Sequence, residues 1–206
     1  MKSTYLLLSF ILFISSFQTI SAQIRSGIVL SGGVSWFNLD RSTDIATNNG
    51  IAFYGITDPS KKISGQAGYQ FQINLPYKLQ VETGVFCQAK LLTVNYSSIE
   101  HGATENEYAV YGTSVQGILN YKIVKGLKLG LGIEPTVYWG DMYNNHSKNS
   151  DGSKFDCPLL IRAGYDLKKI GFAITYKNGF TNLYKNPYVY KAKDRDLLFS
   201  IFIPFH

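Results

Sequence analysis

The sequence predicts an all-β fold: an eight-stranded antiparallel up-and-down transmembrane β-barrel with short periplasmic turns and long extracellular loops. Three observations carry that prediction. Apolar and polar residues alternate with period two along most of the chain, and the breaks between runs are by turns short and long. Only 17% of the 206 residues are charged, although 15% are aromatic. A soluble domain carries about 25% charge, so this chain has too little for an ordinary water-facing surface. So many aromatics with so little charge also exclude a disordered chain. Two Cys exclude a disulfide scaffold and a four-thiolate metal site.

The first element is a leader. Lys2 is followed by an apolar core of 13 residues, Tyr5 to Phe17, and then by Thr19-Ile20-Ser21-Ala22. That is the layout of a secretory signal peptide, with cleavage expected after Ala22. The core is shorter than the ~20 residues that span a bilayer as helix, which argues against an uncleaved anchor. No Cys follows the cleavage point, which argues against a lipid-anchored lipoprotein. Residues 1–22 are therefore expected to be removed, leaving 23–206 as one barrel domain.

The strands follow in order. Ser26 to Phe37 sets Ile28, Leu30, Val34 and Trp36 against Gly27, Ser31, Gly33 and Ser35. Successive side chains of a strand point to opposite faces, so each such run has one apolar and one polar side. Gly68 to Leu75 sets Tyr69, Phe71, Ile73 and Leu75 against Gln70, Gln72 and Asn74. Leu79 to Leu91 resumes after Pro76-Tyr77-Lys78, with Val81, Val85, Cys87 and Leu91 opposite Gln80, Glu82, Gln88 and Lys90. Two long runs joined by about three residues form a hairpin. Val110 to Tyr121 and Leu127 to Trp139 repeat the pattern, with Gln116, Asn120, Lys128 and Glu134 on the polar side. Phe155 to Leu167, Ile170 to Lys177 and Leu197 to Phe205 complete the set of eight.

The connections at Pro76–Lys78, Ile123–Gly126 and Lys168–Lys169 are short. Those at Asn38–Lys62, Thr93–Glu107, Gly140–Lys154 and Gly179–Lys193 are long and rich in Asn, Ser, Asp and Gly. Short turns at one end and long loops at the other outline an up-and-down barrel. Gly on the polar face suits a narrow interior, where small residues must alternate with large ones.

Which face meets water separates two proteins. With its apolar face inward the barrel is a soluble lipocalin-like carrier of a small ligand; with that face outward it sits in a membrane. The polar face is mostly Gly, Ser, Thr, Gln and Asn, too weakly charged for a soluble exterior. Many runs have 10 or more residues, matching the ~9–11 that cross a bilayer at a tilt. Trp36, Tyr77, Tyr121, Trp139, Tyr165 and Phe205 lie near run ends, where aromatics favour membrane interfaces. The outward reading is preferred, and the expected location is the cell outer membrane.

A cleaved leader, eight strands and a last strand LLFSIFIPFH together resemble a small outer-membrane β-barrel of Gram-negative bacteria. The segments GLKLGLGIEPTVYWG, LLIRAGYDL and ITYKNGFTNL are similar to the fifth, sixth and seventh strands of PorT-like barrels. Phe205, with His206 after it, resembles the terminal signature read by the barrel-insertion machinery. The resemblance implies that machinery and outer-membrane lipid as partners. A few members are tied to protein secretion, so it also admits an envelope or secretion protein as partner.

The remaining charge gathers on the inward face: Glu82, Lys90, Lys128, Glu134, Asp156, Arg162, Asp166 and Lys177. An isolated buried ion is costly, so these must be paired or wet. Counting from the turns at Gly126 and Lys168 places Glu134 and Arg162 at similar heights on successive strands, and an ion pair between them is expected. A charged constriction and a plug of paired side chains both fit such a lumen. The plug is preferred, because eight strands leave no aqueous channel.

Nothing in the sequence builds a catalytic site. His101 and His146 fall in long loops and His206 at the end, without the framing Ser or Asp that nucleophilic catalysis requires. No metal-ligand spacing and no cofactor motif is present, and Gly130-x-Gly132 is a strand-interior pair rather than a phosphate loop. Cys87 and Cys157 fall on the apolar face of different strands, so a disulfide is not expected. The net charge of +6 includes no basic stripe with interleaved aromatics, which excludes a nucleic-acid partner. Lysines such as Lys61, Lys125, Lys168 and Lys193 sit at turns and loop bases, where they suit anionic lipid headgroups.

The preferred function is thus non-enzymatic, with binding at loops on a rigid scaffold. Phe53 and Tyr54 in the first loop, and Tyr184, Tyr188 and Tyr190 in the fourth, are candidate partner contacts, with packing over the barrel mouth the preferred alternative. A lipocalin-like carrier and a lipid-modifying surface enzyme are the alternatives.

Overall fold

Alternation turns into a closed wall. The structure, a computed structural model, describes residues 24–39, 53–57, 61–98, 102–143, 154–186 and 189–205. Eleven strands follow one another: β1 (Ile24–Leu39), β2 (Phe53–Thr57), β3 (Lys62–Asn74), β4 (Leu79–Ser98), β5 (Gly102–Lys122), β6 (Leu127–Ile133), β7 (Thr136–Tyr143), β8 (Phe155–Asp156), β9 (Leu159–Asp166), β10 (Gly171–Asn186) and β11 (Val189–Pro204). All pairings are antiparallel, and β1 pairs with β11 from Gly27↔Pro204 to Leu39↔Ala192. That last ladder closes the ring and removes both free edges.

The ring has eight staves because three of them are each made of two strands, β2 lying above β3 on the same edge of β4. β6 and β7 form one stave interrupted at Glu134-Pro135, and β8 and β9 form another interrupted at Cys157-Pro158. The sequence reading ran straight through both prolines. A proline has no N–H for the ladder, so a strand cannot continue through it unbroken. The two breaks lie side by side and are stitched by the proline carbonyls. Pro158 O accepts from Glu134 N at 3.1 Å, and Pro135 O accepts from Val115 N at 3.0 Å.

The short turns hold as expected. Leu75 N donates to Leu79 O at 2.9 Å around Tyr77 and Lys78, which take φ of 59° and 64°. Gly126 takes φ of +88° in the next turn, and a Cβ there would also lie 3.0 Å from Asp166 O. Only glycine enters that region freely.

At the other end the strands outrun the sequence reading. β4 and β5 stay paired from Leu79↔Tyr121 up to Ser98↔Gly102, so most of the expected loop 93–107 is ladder. β10 and β11 likewise extend through 179–186 and 189–196. Beyond the membrane both faces of a strand meet water, so alternation vanishes while backbone pairing persists. β2 adds to the upper part of β4 through Phe53↔Ser98 and Tyr54↔Ser97. Phe53, Tyr54, Tyr184 and Tyr190 therefore stand on strands rather than in loops, whereas Tyr188, His101 and His146 lie outside the described residues, as do residues 1–22.

The faces are inverted relative to a soluble protein. Val85, Val115 and Ile174 are each 54% exposed, and Leu131 is 60% exposed. Gln80, Glu82, Lys128, Glu134 and Lys177 are buried at 2% or less. Only lipid makes that arrangement stable, so the wall spans a membrane and the lipocalin alternative, which needs the apolar face inside, is excluded. Among the described residues no helix is long and apolar enough to cross a bilayer; the crossing is made by strands. Aromatic pairs mark the belt's edges. Tyr111 stacks on Trp139 at 6.0 Å toward the loop end, and Tyr69 meets Phe205 at 5.9 Å toward the turn end.

Val115 lies midway between Tyr121 near the turn end and Tyr111 near the loop end. Val115→Arg is expected to cost about 2–4 kcal/mol, the penalty for a cation facing mid-bilayer lipid. Reversible urea unfolding in lipid vesicles measures it, and a neutral effect would contradict the outward orientation.

Candidate functional site: an ion-paired lumen

Period two sends every second residue of each stave inward, and the inward set is where the charge lies. The network starts near the turn end. Lys128 Nζ, on β6, donates to Glu82 Oε1 at 2.5 Å, to both oxygens of Asp166 at 2.8 Å and to Gln80 Oε1 at 3.0 Å. Glu82 Oε2 accepts from Arg162 NH1 at 2.6 Å. The rest of the guanidinium donates to Thr175 Oγ1 at 2.8 Å and to Gln116 Oε1 at 3.0 Å. Gln116 Nε2 then donates to Glu134 Oε2 at 2.9 Å. Glu134 Oε1 accepts from Lys177 Nζ at 2.7 Å and from Ser114 Oγ at 2.8 Å, and Lys177 also donates to Gln66 Oε1 at 2.7 Å.

The chain Asp166–Lys128–Glu82–Arg162–Gln116–Glu134–Lys177 thus runs unbroken up the lumen. Lys128 and Asp166 sit on the paired strands β6 and β9, but the other ion pairs join staves that are not wall neighbours: Glu82 on β4 reaches Lys128 on β6 and Arg162 on β9. Each such pair ties together parts of the wall that share no backbone ladder. Burial of these ions is tolerable only because each has several partners.

The expected Glu134–Arg162 pair does not form. β6 and β9 pair Gly130 with Arg162, four residues below Glu134, a rise of roughly 13 Å at the usual strand spacing. Counting from the turns ignored the stagger between staves. Gln116 fills the gap, holding the carboxylate with its amide and the guanidinium with its carbonyl.

Lys90 belongs to a second cluster nearer the loops. Its Nζ is bonded to Asp194 and, at 2.6 Å, to Asp196 Oδ2, both on β11. The Tyr138 ring lies 5.8 Å away. The sequence reading missed both aspartates because it started the last strand at Leu197. The signal was present: Asp194, Asp196, Leu198 and Ser200 keep a single phase. Asp156 Oδ1 binds β10 instead of a cation, accepting from Thr181 Oγ1 at 2.6 Å, Thr181 N at 3.0 Å and Phe180 N at 3.2 Å. It does so just above the Pro158 break, where the β9–β10 ladder has ended at Leu159↔Asn178.

Apolar residues complete the filling. Phe86, Val29 and Phe202 cluster inside, and a Cβ on Gly68 or Gly84 would strike the Phe86 ring. Gly130 and Gly132 make the same room for Asn120 and Ile118. Between Gln72, Glu82, Lys128 and Arg162 a cavity of about 20 Å³ remains, enough for a single water. Among the described residues no three of His, Cys, Asp and Glu are grouped to hold a metal, and Cys87 and Cys157 are free thiols. Among the described residues, paired side chains pack the lumen around that cavity.

No family model matches the sequence, and no curated protein matches it. Among solved structures, Neisserial surface protein A is 11% identical and aligns over 88% of this chain and 99% of its own at a TM-score of 0.48. The outer membrane protein OprG from Pseudomonas aeruginosa is 13% identical over 89% of this chain and 94% of its own, at 0.45. Outer membrane protein W of E. coli is 13% identical over 87% and 98%, at 0.37. The likeness concerns fold. What places this chain is its own wall, apolar outside and ion-paired inside: it is a small integral membrane β-barrel.

Proposed function

We propose that the protein is a non-enzymatic scaffold that presents its loop-end surface to a partner in the cell envelope. The observation that carries this reading is the plug. A lumen crossed by ion pairs at several heights conducts nothing, so function falls to the strands and loops that project beyond the lipid. Phe53, Tyr54, Tyr184, Tyr188 and Tyr190 are the contacts we assign to that surface. The resemblance of three segments to PorT-like barrels admits a secretion component among such partners. We assign Phe205, exposed at the turn end with its N–H bonded to Ser26 O at 2.8 Å, to recognition by the barrel-insertion machinery.

Two measurements on one sample test this. Purified barrel in planar bilayers is expected to show no steady conductance, and Tyr184→Ala/Tyr190→Ala is expected to abolish partner cross-linking in cells while leaving heat-modifiable gel mobility unchanged. A stable open channel would move the function into the lumen and contradict the proposal.

A further inference from the structure

The loop-end rim of the wall is electrically lopsided. On β4, β5, β7 and β8 its outward residues are Leu91, Tyr111, Trp139 and Phe155, without a cation. On β1, β11 and the start of β3 the same height carries Trp36 with a cation on either side. Trp36 pairs directly with Arg195 across the β1–β11 ladder, and Lys61 Nζ stands 5.7 Å over the Trp36 ring. Arg195 Nε donates to Asn178 Oδ1 at 3.1 Å, its partner in the β10–β11 ladder, which holds the guanidinium against the wall. Tyr176 packs 6.4 Å from Trp36, one step toward the belt. Immediately below lie Leu197, Ile174 and Ile63, at 44%, 54% and 72% exposure. Of the other cations whose side chains are described at this end, Lys62, Lys90 and Lys177 keep the inward phase, Lys154 is exposed just ahead of β8, and Lys193 stands one outward step above Arg195, farther from the belt.

We propose that this sector is a binding site for one phosphorylated lipid of the outer leaflet. Its phosphate sits between Lys61 and Arg195 at the edge of Trp36, and its acyl chains lie on Leu197, Ile174 and Ile63. The charge count selects the headgroup. Two cations match a phosphate monoester, which carries about −1.5 to −2 at neutral pH, better than a singly charged phosphodiester. A guanidinium gives phosphate a two-pronged hydrogen bond and a lysine adds a point charge, so the pair combines geometry with field. An aromatic with cations at the membrane interface sits where such headgroups lie. The site rests on the outer-membrane placement but is independent of the proposed loop function.

Native mass spectrometry of the detergent-purified full chain tests it, with lipid A bearing its phosphate monoesters, enzymatically dephosphorylated lipid A, and phosphatidylglycerol. The wild type is expected to retain one phosphorylated lipid A, at least about tenfold over the other two. Lys61→Gln/Arg195→Gln is expected to lose that preference, and Lys125→Gln at the turn end to keep it. Equal retention by the double variant would overturn the proposal. So would an equal loss in Lys125→Gln, which would mean unspecific surface charge. Should the double variant fold poorly, Trp36 emission in a Trp139→Phe background gives a second readout. It is expected to shift with phosphorylated lipid A and not with inorganic phosphate; no shift, or the same shift with inorganic phosphate, would also overturn the site.

Discussion

Arg162→Met is expected to lower the unfolding free energy of the barrel by about 3–5 kcal/mol, the loss seen when one partner of a buried ion pair is removed. Three groups lose their donor at once: Glu82 Oε2, Gln116 Oε1 and Thr175 Oγ1. Glu82 keeps Lys128, but that ammonium is shared with Asp166 and Gln80. Methionine fills much of the arginine volume, so the loss reports charge rather than a cavity. Reversible urea unfolding in vesicles gives the value. Adding Glu82→Gln is expected to recover part of it, because the uncompensated carboxylate is then gone, and a double-mutant cycle isolates the coupling. Purely additive losses would mean that the two side chains do not share a bond.

Lys90→Met is expected to be equally severe, about 3–5 kcal/mol, for a different reason. Asp194 and Asp196 lie one step apart on β11, and Lys90 is the cation bonded to both. Without it two buried carboxylates face each other, and each already has one oxygen, Oδ1, with no hydrogen-bond partner. Asp194→Asn/Asp196→Asn in the Lys90→Met background is expected to restore most of the stability, since an amide pair carries no net charge. The same urea titration checks it. If the aspartates' replacement gave nothing back, repulsion between them would not be the cause.

Most of the wall was legible because a membrane enforces alternation rung by rung. Val85 and Glu82, or Leu131 and Lys128, could not exchange faces without placing an ion in lipid. Legibility ended where that pressure ended. Residues 93–98, 102–107 and 189–193 are ladder beyond the apolar belt, so their composition reads as loop although their backbones are paired. Asp194 and Asp196 are inside the lumen and were missed because the intervening outward residue Arg195 is not apolar, so the alternation was read only from Leu197 onward. Pairing inside the lumen was legible only as a need. The inward charges could be named from parity alone, and the eight so named do face the lumen. Which of them meet depends on the stagger between staves and on contacts across the barrel, neither of which is local. Glu134 and Arg162 illustrate this, near neighbours in the wall yet joined only through Gln116.

The inverted wall is the central claim, and Cys87 reports on it directly. It is one of only two cysteines and lies exposed on β4, on the same face as Val85. A nitroxide placed there in a Cys157→Ser background, with the protein in lipid vesicles, can be read by its collision rates with oxygen and with a water-soluble nickel chelate. Frequent collisions with oxygen and few with the chelate are expected, as for a side chain bathed in acyl chains. A nitroxide reached readily by the chelate, or shielded from both reagents, would contradict a lipid-facing Cys87 and with it the barrel's orientation.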